Sequence, residues 1–570
     1  MWVSVEKTRV DDMRGSCGKS NAGRHLMRAA LLWTGIVTGL AGYGASARAG
    51  TDDDAQQIEQ CSRLQQAHIK DTRVELAQIV PAQSRFGNVD GTVAVTSVPV
   101  CRVVATVSTA PRRKLGIEVW LPLDWNDRLL GTGKSGFGGF IDYSELTSAA
   151  TRGFAAVNGD TGYKGSGSGE PGKLLDWAAD PEALRDWAHL SVHPMTVAAK
   201  EIIQAYYGRS AKYSYFSGCG GVEAMREVED FPDDYDGVDA RSPGVYYSQL
   251  MQSFLWGAML PARQPDALLT TDALALLNRA VLQHCGGAHA LADGFLDDPA
   301  QCRFDPAELQ CKSGDDSQAN CLSAAQVQQA KRLYSPVHNA LTGELIYPGF
   351  ARGSERGWAA IQHQLAVYYA QPLLASSVFG DARWDWTTFD FGADATRVDR
   401  HLSPIVNATN PDISRFAARG GKLIMTQGWA DAINAPTRPI EYFNKVAERA
   451  GGVEGARRSF RLIMVPGMGH CGHGPGPTTL GGSSPPTEYS PDRDVVSALQ
   501  DWVERGKAPD RFISTKYAND NPNDGVKFER AVCAYPLQAR YKGSGSRQLA
   551  SSFSCVEADA DAESAGVANR

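Results

Sequence analysis

The feature that most restricts the fold of this chain is a series of short apolar segments that end in glycine and alternate with helical segments. "RLLGTG", "GFAAVNGD" and "KYSYFSG" are three such segments. Between the last two, "PEALRDWAHLSVHPMTVAAKEIIQAYYG" has apolar residues at helical spacing and ends at a glycine. Apolar strands separated by helices are typical of parallel sheets covered on both faces. The sequence therefore predicts an α/β domain with a mainly parallel sheet.

This alternation is interrupted once, and the interruption sets the expected domain boundaries. Residues 50–244 form the first part of the predicted core and begin with antiparallel strands around "TVAVTSVPVCRVVATVS". Residues 245–402 are rich in Trp, Tyr, Gln and Ala, and they predict a large, mainly helical, disulfide-pinned lid insertion. The α/β pattern returns in residues 403–570 with "GGKLIMTQGWAD" and "FRLIMVPGMGHCGHG". We therefore expect one sheet built from two separated segments of the chain.

The N-terminus predicts a signal peptide over residues 1–49. Arg24 and Arg28 precede the apolar run "AALLWTGIVTGLAG". This run is shorter than the roughly 20 residues that a membrane span needs. The run is followed by "ASARAG", which fits cleavage after Ala49. We therefore expect a secreted or periplasmic chain with no membrane span after signal cleavage.

The cysteines agree with export to an oxidising compartment. Eleven are present, and ten remain once Cys17 is removed with the signal peptide. An even number of cysteines in an exported chain indicates disulfides. Proximity along the chain suggests the pairs Cys61–Cys101, Cys285–Cys302, Cys311–Cys321 and Cys533–Cys555, which leaves Cys219 and Cys471.

The charge of the chain indicates no nucleic-acid partner. The formal net charge is −7, and the sequence contains neither a basic tract nor zinc-finger spacing. The oligomeric state is left open by the sequence.

Three predicted strand ends carry residue types that suit nucleophilic catalysis. The glycine turn after "KYSYFSG" comes first, Asp431 follows "LIMTQGWA", and His470 follows "LIMVPGMG". In open α/β sheets, ligands bind outside the carboxyl ends of the strands. The order nucleophile, acid, histidine is that of α/β-hydrolases, in which the acid orients the histidine and the histidine takes the nucleophile's proton. Taken alone, Asp431 is equally a loop-capping residue and His470 a surface histidine.

Several long motifs resemble those of one known family. They include "LPLDWNDRLLGTG", "ATRGFAAVNGDTGYKG", "LSPIVNATNPDISRFAARGGKLIMTQGWAD" and "PGMGHCGHGPG". In these motifs the chain resembles the tannase/feruloyl esterase family of α/β-hydrolases, over nearly all of the mature sequence. The resemblance implies a serine esterase that hydrolyses small-molecule esters of aromatic, phenolic acids. It also implies that Asp431 and His470 are the triad acid and base, and that a Cys219–Cys471 disulfide ties the nucleophile turn to the histidine loop.

The nucleophile turn, residues 218–221, departs from the family's pattern. The family has Gly-Cys-Ser-x-Gly-Gly, whereas Gly218-Cys219 here runs directly into Gly220-Gly221, so that two residues including the serine are missing. Alignment on the strand puts Gly220 at the nucleophile position, and alignment on the helix puts Gly218 there. Glycine has no side chain that can attack, and Ser217 and Cys219 are weak substitutes. The alternative is a catalytically inactive pseudo-esterase that binds an aromatic small molecule.

The donor loop, residues 131–139, and the next strand also depart from the family. "GTGKSGFGG" resembles the loop that supplies one oxyanion donor, expected near Ser135 or at Gly136, although Lys134 and Ser135 replace Asn and Gly. Asp239 and Arg241 stand in "DGVDARSPG" where relatives have small or apolar residues. Buried charges need partners, so these two residues either pair with each other or mark a remodelled site.

The family also has a calcium site in its lid, and the resemblance places that site in "CGGAHALADGFLDDPAQC". Its ligands would be the Asp293 carboxylate and the backbone carbonyls of Leu291 and Phe295. Gly286 and His289 replace the other two acids. Calcium needs several hard oxygen ligands, so the sequence predicts a degenerate site and no other cofactor.

Overall fold

The central sheet combines an antiparallel edge with six parallel strands. In a computed structural model, which describes residues 49–134, 136–312, 320–482 and 486–557, the chain separates into residues 1–59 and 60–570. All of the strands, and every α-helix after the first, lie in the second of these parts. The predicted signal peptide, except for Ala49, and Ser135 lie outside the described residues.

The strands are, in chain order, β1 (Thr72–Val80), β2 (Arg85–Gly87), β3 (Val93–Val95), β4 (Val100–Ala110), β5 (Arg113–Pro122), β6 (Arg128–Thr132), β7 (Phe137–Gly139), β8 (Ala155–Gly159), β9 (Gly165–Gly167), β10 (Tyr213–Cys219), β11 (Gly237–Arg241), β12 (Val337–His338), β13 (Leu345–Tyr347), β14 (Lys422–Gly428), β15 (Phe460–Val465), β16 (Arg511–Tyr517), β17 (Val526–Cys533), β18 (Leu537–Tyr541) and β19 (Phe553–Glu557). Nine of them form one sheet in the order β1-β4-β5-β8-β6-β10-β11-β14-β15. The pairs from β1 to β8 are antiparallel, and those from β8 to β15 are parallel. The mainly parallel sheet predicted from the sequence is therefore confirmed.

The α-helices are α1 (Ala49–Ser62), α2 (Tyr143–Thr151), α3 (Asp176–Ala179), α4 (Pro181–Arg185), α5 (Val192–Tyr207), α6 (Val222–Asp230), α7 (Tyr247–Arg263), α8 (Thr271–Asp293), α9 (Ala324–Tyr334), α10 (Gln371–Leu374), α11 (Ala393–Val406), α12 (Ser414–Ala418), α13 (Thr437–Arg449), α14 (Val453–Arg457) and α15 (Val495–Arg505). Helix α5 ends at Gly208, whose left-handed backbone (φ 71°) closes the helix as the sequence predicts. Among the described residues, no helix is both long enough and apolar enough to cross a membrane.

Helices cover the sheet on both faces, as its apolar strands require. On one face, residues of α5, α6 and α13 such as Ile202, Val228 and Phe443 pack into a buried cluster with β10 and β14. On the other face, Leu146 of α2 and Leu499 of α15 pack against the same sheet. The carboxyl ends of β10, β11, β14 and β15 thus lie side by side at one edge.

The segment between β11 and β14 contains helices α7–α11 and the two-stranded ribbon of β12 and β13. These helices share a large buried cluster of apolar residues. The described part of the chain contains five disulfides, which are the four local pairs suggested by the sequence together with Cys219–Cys471. The α/β-hydrolase fold with its helical insertion is therefore as predicted, while the boundaries at residues 244 and 402 stay predictions.

Candidate active site

Two predicted site residues meet at the edge formed by the carboxyl ends of β14 and β15. Asp431 follows β14, His470 follows β15, and the Nδ1 atom of His470 lies 3.0 Å from the Oδ2 atom of Asp431. Asp431 is fully buried, whereas the His470 side chain is 18% exposed. Because Asp431 holds Nδ1, the other ring nitrogen of His470 remains to exchange protons with a reacting group.

The Asp431 carboxylate is fixed by donors from its own loop. Its Oδ1 atom accepts backbone N–H bonds from Ile433 at 2.8 Å and Asn434 at 3.0 Å. Its Oδ2 atom accepts a bond from the side-chain amide of Gln427 at 2.9 Å. Since each oxygen has a fixed partner besides His470, the carboxylate can orient the imidazole without moving itself.

The histidine loop is tied to the nucleophile turn by the Cys219–Cys471 disulfide. Cys471 has a left-handed backbone (φ 56°), and its N–H donates to the Ser242 hydroxyl at 3.0 Å. A ring nitrogen of His470 and the two sulfur atoms all lie within 4.8 Å of one another. The disulfide therefore lies directly beside the histidine.

At the nucleophile turn, Gly220 occupies the tip and Gly218 lies within the sheet. Gly218 pairs with Ala240 in the register of β10 and β11, whereas Gly220 comes after the strand with a left-handed backbone (φ 79°). A Cβ atom added at Gly220 would meet no heavy atom within 4 Å. At Gly221 an added Cβ would lie 2.7 Å from Pro243. Gly220 is thus the position from which a side chain would enter open space.

The hydroxyl of Ser217 is engaged elsewhere. It is buried, and it donates to the Oδ2 atom of Asp239 at 2.7 Å. Arg241 lies 3.5 Å from the same Asp239 oxygen, and its NH2 group is 3.1 Å from Glu145. Burial raises the pKa of Asp239 to about 6, although Arg241 and Ser217 act in the opposite direction. Asp239 and Arg241 therefore pair with each other, one of the two arrangements expected from the sequence.

A buried ion pair links the donor loop to the first turn of α6. The Nζ atom of Lys134 lies 2.7 Å from Oε1 of Glu223, and the backbone N–H of Lys134 donates to Oε2 of the same residue at 2.9 Å. Burial lowers the pKa of Lys134. This backbone N–H is therefore committed to a protein carboxylate rather than offered to a substrate oxygen. At Gly136, the donor expected from the sequence, an added Cβ atom would lie 2.7 Å from the Gly167 carbonyl oxygen and 3.3 Å from the Tyr369 ring.

A cluster of six aromatic rings adjoins the donor loop, and the sequence analysis missed it. Ring centroids within it lie 4.8–5.6 Å apart, and the Lys134 ammonium lies 4.9 Å from the centroid of one ring. Its members are Phe137, Tyr163, Trp177, Trp187, Tyr247 and Tyr369. The members come from five separated segments of the chain. The only local signals are the phenylalanine at position 137 within the donor loop and the two tryptophans of "LLDWAADPEALRDWAH".

The residues at the expected calcium site do not fit a calcium ion. The Asp293 carboxylate lies 2.7 Å from the guanidinium of Arg530, whose side chain is only 2% exposed. Asp297 pairs in the same way with Arg547 at 2.7 Å. Leu291 is exposed, and Phe295 is buried against the Phe528 ring. One carboxylate neutralised by a buried guanidinium is not the oxygen-rich, anionic ligand set that calcium requires.

The fold is that of the α/β-hydrolases, and the relatives of the chain show the family to which it belongs. The sequence profile described as tannase and feruloyl esterase matches residues 101–556. An uncharacterized esterase of Xanthomonas campestris pv. campestris is 34% identical over 531 residues, covering 87% of this chain and 91% of that protein. Feruloyl esterase B of Aspergillus niger is 31% identical over 471 residues, covering 81% and 87%.

Solved structures give the same result. Feruloyl esterase B from Aspergillus oryzae superposes with a TM-score of 0.81 at 26% identity, covering 88% of this chain and all of that one. An esterase from Aspergillus oryzae superposes with a TM-score of 0.80 at 27% identity, with the same coverage. The chain therefore belongs to the tannase and feruloyl esterase family, whose members are carboxylic ester hydrolases.

Proposed function

We propose that this chain binds small esters of aromatic, phenolic acids at the carboxyl ends of β10, β14 and β15. In this proposal Asp431 and His470 are the acid–base half of an ester hydrolase whose nucleophile turn has lost its serine. The observation that carries the proposal is the 3.0 Å contact between His470 and the buried Asp431, beside a turn whose tip is Gly220. His470 would take a proton, and Asp431 would stabilise the imidazolium that forms.

A normal serine esterase mechanism is not expected from this turn. Gly220 offers no nucleophile, the Ser217 hydroxyl is held by Asp239, and the Cys219 sulfur is bonded to Cys471. His470 can then only activate a water molecule. Triad enzymes without one triad member retain about 10³–10⁴-fold catalysis over water from the oxyanion hole and substrate binding alone, far below the intact enzyme. With His470 activating water in addition, we propose slow, histidine-dependent hydrolysis by the disulfide-bonded chain.

The aromatic ring cluster beside the donor loop supports an aromatic substrate. The cluster includes Phe137 of the donor loop, and the Trp187 ring lies 4.9 Å from the Lys134 ammonium of the same loop. Aromatic rings pack well in offset or edge-to-face arrangements, and each such pair adds about 0.5–1.5 kcal/mol. Relatives named feruloyl esterase B agree with an aromatic acid as the acyl group.

The second candidate function is a pseudo-esterase that binds an aromatic acid or ester without turnover. The glycine at the tip of the turn and the commitment of the Lys134 N–H to Glu223 favour it, because a nucleophile and one candidate oxyanion donor are lacking together. In either case the five disulfides of the described residues support an oxidising compartment. We therefore propose that the chain is secreted or periplasmic.

The test uses the purified mature chain under non-reducing conditions, with methyl ferulate and methyl gallate. Binding is measured by calorimetry and hydrolysis by chromatography, beside a His470→Ala variant. We expect both proteins to bind at least one ester, and slow hydrolysis in the wild type to disappear in the variant. Binding without hydrolysis in either protein would establish the pseudo-esterase. Failure of both proteins to bind either ester would contradict the proposal.

A further inference from the structure

The Cys219–Cys471 disulfide lies where a reduced chain would carry a thiol and a base together. Cys219 is the last residue of β10 and is partly exposed, and Gly220 beyond it has no side chain to cover it. His470, whose ring nitrogen is within 4.8 Å of the Cys219 sulfur, is already oriented by Asp431. The elements of a Cys-His-Asp site are therefore present, with the sulfur held in a disulfide.

We infer that Cys219 is a latent nucleophile, released when a dithiol reduces the Cys219–Cys471 disulfide, and that the reduced chain is a thiol esterase. This inference rests on the proposed aromatic-ester site and adds a nucleophile to it. An imidazole beside a thiol favours the reactive thiolate, and the thiolate is the form that attacks. Cys471 is the weaker candidate because it is buried and adjoins the histidine in the same loop.

The reaction balances with the dithiol as the only added reagent. The dithiol gives two electrons and two protons, the Cys219–Cys471 bond breaks, and the reagent becomes a cyclic disulfide. The Cys219 thiol then gives its proton to His470, and its sulfur bonds to the ester carbonyl carbon. The carbon–oxygen bond of the ester breaks, and the alcohol leaves with the proton from His470. Water then gives a proton to His470 and its oxygen bonds to the thioester carbon. The carbon–sulfur bond breaks, the acid leaves, and Cys219 takes the proton back from His470.

Two variants without the disulfide separate the chemistry from the loss of the crosslink. Cys471→Ser frees Cys219 without any reductant, and the double variant Cys219→Ala with Cys471→Ser lacks the same crosslink and also the thiol. We expect Cys471→Ser to hydrolyse methyl ferulate at least about tenfold faster than the disulfide-bonded wild type, and the double variant to show no gain. Iodoacetamide should abolish the gain, and intact mass should show an acyl group on Cys219 early in turnover.

A second measurement covers the case in which the Cys471→Ser chain does not fold. Wild type and His470→Ala are reduced with dithiothreitol, and the alkylation rate of Cys219 is followed against pH by peptide mass. The inference expects alkylation of Cys219 to begin at a lower pH in the wild type than in His470→Ala. Identical profiles would overturn it, because the histidine would then not act on the thiol.

Binding distinguishes failure of this inference from failure of the proposed function. A folded Cys471→Ser chain that binds methyl ferulate and hydrolyses it no faster than the double variant would overturn the latent nucleophile while leaving the aromatic-ester site intact. A chain that hydrolyses 4-nitrophenyl acetate through Cys219 and binds no aromatic ester would support the nucleophile and overturn the substrate.

Discussion

The two halves of the site differ in how many of their polar groups are hydrogen-bonded to other groups of the protein. On the acid–base side, Asp431 and His470 keep one ring nitrogen available, and every donor around Asp431 serves to hold it. On the nucleophile side, Ser217 is bonded to Asp239 and the Lys134 N–H is bonded to Glu223. The Asp431–His470 half is therefore arranged for proton transfer. In the other half the polar groups bond to each other, and Gly220 stands at the tip of the turn.

The strand-to-helix turn of the α/β-hydrolase scaffold is built here from glycines. The strand β10 and the helix α6 still join through left-handed glycines at Gly220 and Gly221, and the disulfide still connects the turn to the histidine loop. Glycine adopts such a backbone without a steric penalty, so a turn without serine costs the fold little. The backbone of this turn therefore needs no serine.

The largest expected effect comes from restoring the nucleophile. Insertion of Ser–Thr between Cys219 and Gly220 should raise the kcat for methyl ferulate on the order of 10⁶-fold, since loss of a triad serine costs about that much. Steady-state hydrolysis under non-reducing conditions measures it. An Ala–Thr insertion of the same length is the matched control and should leave the rate at the level of the wild type. A folded Ser–Thr variant with no gain would show that the acid–base half is also inactive.

The next effect tests the acid–base half in the repaired protein. Asp431→Asn in the Ser–Thr insertion background should lower kcat by about 10⁴-fold, because an amide holds the imidazole in the wrong tautomer. Substrate binding, measured by calorimetry, should change much less, because Asp431 is buried and does not reach the ligand. Equal losses in affinity and in kcat would mean that the substitution had damaged the whole site.

The lid region gives a comparison of its own, between a buried and a more exposed ion pair. Arg530→Met removes the partner of Asp293 and should lower the free energy of unfolding by about 3 kcal/mol. Arg547→Met breaks the more exposed pair with Asp297 and should cost less than about 1 kcal/mol. Urea denaturation followed by circular dichroism measures both. The wild type should unfold at the same urea concentration in EDTA and in calcium, and a clear stabilisation by calcium would contradict the assignment of Arg530.

A further effect is a pH dependence of stability from Asp239. Its folded pKa of about 6 lies above the usual value of 3.8, so its contribution to stability is present below about pH 4 and is lost as pH rises to 6. Between about pH 4 and pH 6, Asp239→Asn should remove roughly 2 kcal/mol of the decrease in the free energy of unfolding. Because other groups titrate there too, the difference between the two proteins is the quantity to measure. Ser217→Ala removes a bond that lowers the pKa of Asp239, so it should shift the slope to higher pH.

Much of the fold follows from local sequence patterns. Apolar strands ending in glycine predicted the parallel part of the sheet, and the glycine at the end of α5 was predicted from its position after the helical pattern. Asp431 and His470 could be placed together because the ends of neighbouring parallel strands share one edge of a sheet. Each of these inferences needs only residues close in sequence and one general rule of sheet topology.

Other features depend on partners that are distant along the chain. Arg530 follows Asp293 by more than two hundred residues, and nothing in "KFERAVC" indicates that its guanidinium reaches the lid. The same holds for Lys134 with Glu223, and for the ring cluster. Nor can the sequence tell which glycine of the turn stands at its tip, because both alignments read equally well. The backbone decides for Gly220, where an added side chain would meet open space.

The most direct test of the central claim is a search for an activated serine in the disulfide-bonded wild type. The chain is incubated with a fluorophosphonate, which forms a covalent adduct with activated serine hydroxyls, and intact mass and peptide mapping locate any adduct. We expect no adduct on the wild type, and one adduct on the inserted serine of the Ser–Thr variant. A stoichiometric adduct on Ser217 of the wild type would contradict it, because the turn would then carry a working nucleophile after all.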